Sequence, residues 1–239
     1  MKVTRDIQGR IQQLNDQFQN ATAEEVVAYF MDTFTVRAAF SSGLGAEDQV
    51  ITHMIASRDS NAFIFTLDTG RLFPETYDLI QATEARYDIR IHVFFPDTGK
   101  VEKMVGEKGI NLFYDSVENR KQCCEIRKTD SLKRALQGRD VWISGLRREQ
   151  SFTRKDIKLV DWDEQYRLFK VNPLANWTSS QVWDYIRLHR IPYNPLHDKG
   201  FPSIGCQPCT RAVETGEDPR SGRWWWEMDG HRECGIHRR

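Results

Sequence analysis

The chain is predicted to fold as an α/β protein on a parallel sheet, and three observations predict it. Short β-rich runs alternate with helical stretches from about residue 36 to 190, the pattern of strand–helix–strand units. At 239 residues the chain can bury one sizeable core without disulfide staples. Competing classes are excluded: 8 Pro and 15 Gly are unremarkable, and no apolar run approaches the ~20 residues that span a bilayer.

The elements follow in order. Ile7, Ile11, Leu14 and Phe18 recur at three- and four-residue steps, so residues 1–33 read as helical. Within them Ala21–Met31 forms a second helix with Thr22 as its N-cap. Strands are expected at Val36–Phe40, Ala62–Leu67, Ile91–Phe95, Val141–Ser144 and Leu168–Asn172. Helices are expected at 47–58, 74–88, 98–109, 124–137 and 178–189. From Ile191 the texture changes: residues 191–209 carry four of the eight prolines, and no periodic element follows. Three parts are therefore expected, a helical segment 1–33, an α/β nucleotide-binding domain 34–190 and a loop-rich segment 191–239. In such sheets ligands sit beyond the carboxyl ends of the strands.

Charge narrows the partners. Lys and Arg number 34 against 34 Asp and Glu, which argues against a nucleic-acid coat. The balance is uneven, since residues 119–158 hold twelve Lys and Arg against five Asp and Glu. The polar N-terminus does not read as a signal or transit peptide. A cytoplasmic protein with no membrane or nucleic-acid partner is expected, and amphipathic spacing in the first helices leaves room for a homo-oligomer.

Five cysteines are an odd number, and disulfides are rare in a reducing cytosol. Cys123 and Cys124 are adjacent, Cys206 and Cys209 form a C-x-x-C pair, and Cys234 stands alone. Four thiolates can close a zinc site or hold an iron–sulfur cluster. Vicinal cysteines are awkward on one zinc, whereas a 4Fe–4S cluster offers each a separate iron. The fifth, Cys234, lies among Arg232, Arg238 and Arg239. Cationic neighbours raise the thiolate fraction, so Cys234 is either a nucleophile on a movable tail or an exposed bystander.

Three strand ends carry small or polar groups: Ser41–Gln49, Leu67–Arg71 and Ser144–Ser151. Small residues at a strand–helix junction let backbone amides approach an anion. Neither a Walker loop nor a G-x-G-x-x-G motif is present. Arg127, Lys128, Arg147, Arg154, Arg220 and Arg223 stand out among the cations, since a guanidinium binds phosphate or sulfate through two bonds. Trp224–Trp226 read mainly as packing of the tail onto the body.

In chain order the motifs are S-x-x-G-A-E-D at Ser42–Asp48, L-D-T-G-R at Leu67–Arg71 and C-C-x-x-R-K at Cys123–Lys128. S-G-L-R-R-E-Q-S at Ser144–Ser151, N-P-L-x-x-W at Asn172–Trp177 and Y-N-x-L-H at Tyr193–His197 follow. C-x-x-C, G-R-W-W-W-E and the terminal E-C-G-I-H complete the set. Together they resemble the iron–sulfur assimilatory sulfonucleotide reductases, the adenylyl-sulfate reductases, over roughly residues 36–239. The loop Ser41–Gly45 is longer than the S-G-G form of the broader group. The resemblance implies a Rossmann-like parallel sheet of the adenine nucleotide α-hydrolase type. It implies thioredoxin- or glutaredoxin-dependent reduction of adenosine 5′-phosphosulfate to sulfite and AMP, in sulfate assimilation and cysteine biosynthesis.

Carried over by position, Cys123, Cys124, Cys206 and Cys209 would ligate one 4Fe–4S cluster, and Cys234 would be the nucleophile that holds an S-sulfo group. Arg127, Lys128, Arg154, Arg220, Arg223 and His237 would bind the phosphosulfate. Ser42, Asp48, Leu67, Thr69 and Gly145 would line the nucleotide pocket. Nothing in the overall reaction demands an electron from the cluster, which favours an electrostatic and structural role through Lys128. Relatives dedicated to the 3′-phosphorylated substrate lack both cysteine pairs, which points to the unphosphorylated nucleotide, with action on the 3′-phosphorylated one or on both as the alternative. A tRNA-thiolation enzyme would want an S-G-G-x-D-S loop and a basic extension, both missing here. A zinc-binding structural or interaction module is the distant alternative.

Overall fold

A computed structural model describes residues 5–227. Eight α-helices and six strands are named among them. The helices are α1 (Arg5–Gln17), α2 (Ala23–Phe34), α3 (Ala46–Ala56), α4 (Pro74–Tyr87), α5 (Thr98–Lys108), α6 (Val117–Cys124), α7 (Asp130–Ala135) and α8 (Ser179–His189). The strands are β1 (Ala38–Ser41), β2 (Ile64–Leu67), β3 (His92–Phe94), β4 (Val141–Ile143), β5 (Val160–Asp163) and β6 (Leu168–Val171).

The sheet runs β3-β2-β1-β4-β6-β5. β1 pairs in parallel with β2 and β4, and β4 with β6. The α/β class is as expected, with one correction: β5 joins β6 antiparallel and adds an edge strand. Its V-D-W-D sequence is too charged to read as a core strand. A hairpin turn makes it, with Asp163 Oδ1 accepting from the amides of Gln165 and Tyr166 at 3.1 and 3.0 Å. A short edge strand bearing carboxylates also resists edge-to-edge association.

The helix starts follow local chemistry. Thr22 caps α2 as expected, accepting from Glu25 N at 3.2 Å while Glu25 Oε2 accepts from Thr22 N at 2.7 Å. Thr178 and Gln181 repeat the device on α8. The helix expected at 124–137 begins earlier, at Val117 behind the N-cap Ser116, and contains a π turn at Glu125–Thr129. Residues 117–124 carry so few apolar side chains that periodicity could not reveal them.

The described residues separate into two compact units. One is drawn from the chain up to Phe65, Leu79–His92 and Gly138–Asn194. Its core joins Val26 and Phe30 of α2, Val50, Ile51 and Ile55 of α3, Phe40, Val141, Ile143 and Val171 of the strands, and Val182 and Ile186 of α8. Burying each such side chain contributes about 1.5–3 kcal/mol. The second unit is drawn from Thr66–Asp78, Val93–Gln137 and the chain from Pro195 onward. Its core is smaller, with Met104, Leu112, Phe113 and Trp224 packed on Cys124, Cys206 and Cys209. From Pro195 to Glu227 no α-helix or named strand forms, only short 3₁₀ turns at Pro195–Lys199 and Gln207–Cys209 and a bridge between Thr210 and Arg223. No helix of the described residues is long and apolar enough to cross a membrane.

Candidate functional site

In the second unit the cysteines are positioned by four chain segments. At the end of β2, Asp68 accepts from Gly70 N at 2.7 Å and turns the chain through Gly70, whose φ is +69°. The Thr69 hydroxyl then lies 3.2 Å from Cys206 Sγ and accepts from Arg71 N at 3.2 Å. Arg71 in turn holds the C-x-x-C turn, its carbonyl accepting from Gln207 N at 2.8 Å. Cys206 O accepts from Cys209 N and from the Thr210 hydroxyl, both at 2.9 Å. Tyr114 donates to Pro208 O at 2.8 Å. Trp224 N donates to Cys209 O at 3.2 Å and so ties the tryptophan run to the same turn.

The vicinal pair approaches from α6 and the π turn. Arg127 donates to the Thr69 carbonyl at 2.7 Å. A π turn adds a residue to one helical turn and commonly marks a functional position. Here it sets Arg127 and Lys128 on the wall that also carries Cys123 and Cys124. All four cysteines line one opening of about 370 Å³, counted out to open solvent, with Arg71, Phe113, Arg120 and Trp224.

The thiols differ electrostatically. Burial alone would raise the pKa of Cys206, but Lys128, the Thr69 hydroxyl and Arg223 together hold it below the usual thiol range. Burial pushes Cys209 up to about 12, and its neighbour Cys206 adds to the rise. Burial also raises Cys123, opposed chiefly by Arg127. The raised thiols of Cys209 and Cys123 favour the protonated form unless a positively charged centre stabilises their thiolates. Soft sulfur donors with cations behind them suit zinc or iron–sulfur chemistry. Among the described residues no three His, Cys, Asp or Glu side chains gather as one ion requires.

Several other expected residues lie in the first unit, at the point where β1 is flanked on opposite sides by β2 and β4. Ligands bind at such switch points in open α/β sheets. Ser42 is buried, its amide donating to Phe65 O at 2.8 Å and its hydroxyl accepting from Leu44 N at 3.3 Å. The Asp48 carboxylate accepts from the amides of Gly43 and Gly45 at 2.9 and 3.2 Å. Two amides that sequence reasoning offers to a phosphate are therefore engaged by an internal carboxylate. Burial, and then Glu47, raises the Asp48 pKa to about 7, while the loop amides and Arg154 oppose the shift. Gly145 packs so tightly on Asp48 that a Cβ there would collide with the carboxylate. Arg154 donates to Gln150 at 2.5 Å, and Gln150 donates to Gly145 O at 3.2 Å. Arg147, singled out in the sequence as unusual, is buried between Glu47 at 2.7 Å and Glu149 at 3.1 Å, a structural pairing.

The sequence profile of the phosphoadenosine phosphosulfate reductase domain matches residues 37–212. The chain belongs to this family. Among the reductases it is similar to the adenosine 5′-phosphosulfate reductase of Allochromatium vinosum, 51% identical over 200 residues, covering 84% of this chain and 78% of that protein. The protein of the same name from Burkholderia cepacia is 48% identical over 201 residues, covering 84% and 80%. The crystal structure of phosphoadenylyl-sulfate (PAPS) reductase from Candida auris, a phosphate complex, superposes with a TM-score of 0.74 at 25% identity, over 89% of this chain and 99% of that one.

Within this sulfonucleotide reductase the structure sorts the expected residues plainly. Cys123, Cys124, Cys206, Cys209, Arg127 and Lys128 come together on one opening, with Thr69 bonded beside it. Arg223 is buried, its guanidinium 4.8 Å over the Trp224 ring and in the field of Cys206 and Cys209. Leu67 ends β2, and Arg220 accepts through its carbonyl from Arg223 N at 2.9 Å. Ser42, Asp48, Gly145 and Arg154 lie in the first unit. Cys234 and His237 fall outside the described residues. Sequence reasoning did not single out Arg71, Phe113 and Arg120 as site residues at the opening, and read Trp224 mainly as packing. The available signal was nearness to the cysteines for Arg120, to the L-D-T-G-R motif for Arg71 and to the G-R-W-W-W-E motif for Trp224; Phe113 carried none.

Proposed function

We propose that this reductase converts adenosine 5′-phosphosulfate to sulfite and AMP through an S-sulfo adduct on Cys234, using a thioredoxin or glutaredoxin as dithiol donor. The observation that carries the reading is the opening walled by four cysteines with Arg127 and Lys128 beside them. Supporting the substrate are relatives at 48–51% identity that bear the adenosine 5′-phosphosulfate name, against 25% for the structure named for the 3′-phosphorylated nucleotide. The 3′-phosphorylated alternative is therefore not favoured. The setting is cytoplasmic sulfate assimilation leading to cysteine, with residues 34–190 as the nucleotide-binding part, 1–33 as a helical segment before it and 191–239 as the part that bears C-x-x-C and Cys234.

In the first half-reaction the Cys234 thiolate attacks the sulfonyl sulfur. A new S–S bond forms, the S–O bond to phosphate breaks, and AMP leaves with that electron pair. Arg127, Lys128, Arg154, Arg220, Arg223 and His237 are assigned to the phosphosulfate, where their charge offsets that of both the thiolate and the leaving group. Ser42, Asp48, Leu67, Thr69 and Gly145 are assigned to the nucleoside. In the second half-reaction a donor thiolate attacks Cys234 Sγ, and sulfite departs with the electrons of the S–S bond. The second donor thiol then resolves the mixed disulfide, freeing Cys234 and leaving the donor oxidised by two electrons.

Cys123, Cys124, Cys206 and Cys209 would hold one 4Fe–4S cluster, which when bound supplies a fixed charged and polarisable group next to Lys128. Thr69 orients Cys206, and Arg127 braces the Thr69 carbonyl.

The test is Cys234→Ser, assayed for sulfite release and for mass gain of a sulfo group without donor. Neither is expected; full activity would sink the reading. Anaerobically purified protein should be brown, with iron and acid-labile sulfide in equal amounts. Colourless protein containing zinc would overturn the cluster assignment and leave the nucleophile to its own test.

A further inference from the structure

Arg120 and Glu227 form a deeply buried ion pair. Arg120 Nε lies 2.7 Å from one Glu227 carboxylate oxygen and Nη2 lies 2.7 Å from the other. Their side chains are 2% and 5% exposed. Two parallel bonds fix angle as well as distance. Arg120 sits one turn ahead of Cys123 and Cys124 on α6, with its guanidinium 4.8 Å over the Trp224 ring. It also lines the cysteine opening. Glu227 N donates to Trp224 O at 2.9 Å, closing a turn. In sequence Cys234 follows seven residues later.

Stability does not explain such a pair. Apolar residues of the same shape in its place are often as stable or more so, because both charges must first lose their water. What an apolar pair cannot supply is a fixed direction. We propose that the Arg120–Glu227 pair is a positioning device that sets the point from which the segment bearing Cys234 departs, in register with the helix carrying Cys123 and Cys124. Seven residues span at most about 25 Å, so the place of Glu227 sets an upper limit on how far from it the Cys234 thiol can lie. A root no longer fixed dilutes the thiolate at the sulfonyl sulfur and lowers its effective concentration there. Neither residue touches the reacting atoms. The inference rests on Cys234 being the nucleophile.

The experiment uses the full chain as purified, in three forms: wild type, Glu227→Asp, and Arg120→Met combined with Glu227→Leu. Each is mixed with adenosine 5′-phosphosulfate without donor, and the sulfo adduct on Cys234 is followed by mass spectrometry. Cys234 alkylation by iodoacetamide and the melting temperature are measured in parallel. The double variant should melt near wild type and alkylate at the wild-type rate, yet form adduct about tenfold more slowly or worse. Glu227→Asp, which keeps the charge and withdraws it by one methylene, should fall between. Wild-type adduct rates in the double variant, or in Glu227→Asp should the double variant not fold, overturn the proposal. So does a loss that only tracks the folded fraction. If wild type itself forms no adduct on Cys234, the underlying reading fails, and the two failures are told apart.

Discussion

The hydroxyl of Thr69 lies 3.2 Å from the sulfur of Cys206, although 137 positions separate them in the chain. The same hydroxyl accepts from Arg71 N at 3.2 Å, and Arg71 O in turn accepts from Gln207 N at 2.8 Å. The end of β2 and the C-x-x-C turn are thus held by one short relay of bonds.

Replacing Thr69 with Val keeps the shape and removes the hydroxyl. The Arg71 amide and Cys206 then lose a partner, a cost of about 1–3 kcal/mol for a buried group left unsatisfied. Thr69→Val should lower the urea midpoint accordingly, while Thr69→Ser stays near wild type. Tryptophan fluorescence reports the transition, since Trp224 packs in that core.

Asp48 gives a pH dependence with a definite sign. Its pKa rises from 3.8 to about 7 on folding, chiefly by burial. The folded state therefore holds the proton more tightly than the unfolded one. Stability contributed by Asp48 is complete below about pH 4, declines as pH rises toward 7, and levels off beyond it. A shift of this size corresponds to a loss on the order of 4 kcal/mol. Asp48→Asn should flatten the stability profile between those limits; an unchanged profile by chemical denaturation would refute the assignment.

Gly145 is tied to the same carboxylate. An added methyl would collide with Asp48, and overpacking of this kind costs about 1–3 kcal/mol. Gly145→Ala should lower the melting temperature and weaken AMP binding by calorimetry. Combining it with Asp48→Gly, which vacates the space, should restore part of the melting temperature.

Lys128 hydrogen-bonds to Cys206 and acts electrostatically on Cys209 and Cys123. If the proposed Cys234 adduct route holds, Lys128→Ala should slow adduct formation by roughly 10²–10³-fold, the usual effect of removing a charge-stabilising donor. Lys128→Arg keeps the charge without the compact ammonium and should recover only part of the rate. Single-turnover kinetics without donor separates this step from dithiol attack.

Much of the fold was legible because its signals are local. Thr22 and Glu25 stand three apart and cap α2 wherever that helix packs. The runs at β1, β2, β4 and β6 are apolar enough to read as strands of a covered parallel sheet, and the Ile91–Phe95 run falls on β3, an edge strand whose side chains are exposed or half-buried. β5 escaped because its Asp161 and Asp163 break the apolar pattern, and its hairpin is specified by side-chain bonds from Asp163 to backbone amides. The π turn escaped because no periodicity marks an inserted residue.

The cysteine count, the two close pairs and the remainder of one are properties of the sequence alone, because thiol spacing limits what a group of thiols can hold. That Cys123, Cys124, Cys206 and Cys209 share one opening, that Thr69 supports Cys206, and that Arg120 clasps Glu227 were decided only by tertiary structure. These relationships join segments dozens of residues apart or more. Which distant segments meet is fixed by packing the whole core, and no local pattern of residues encodes it.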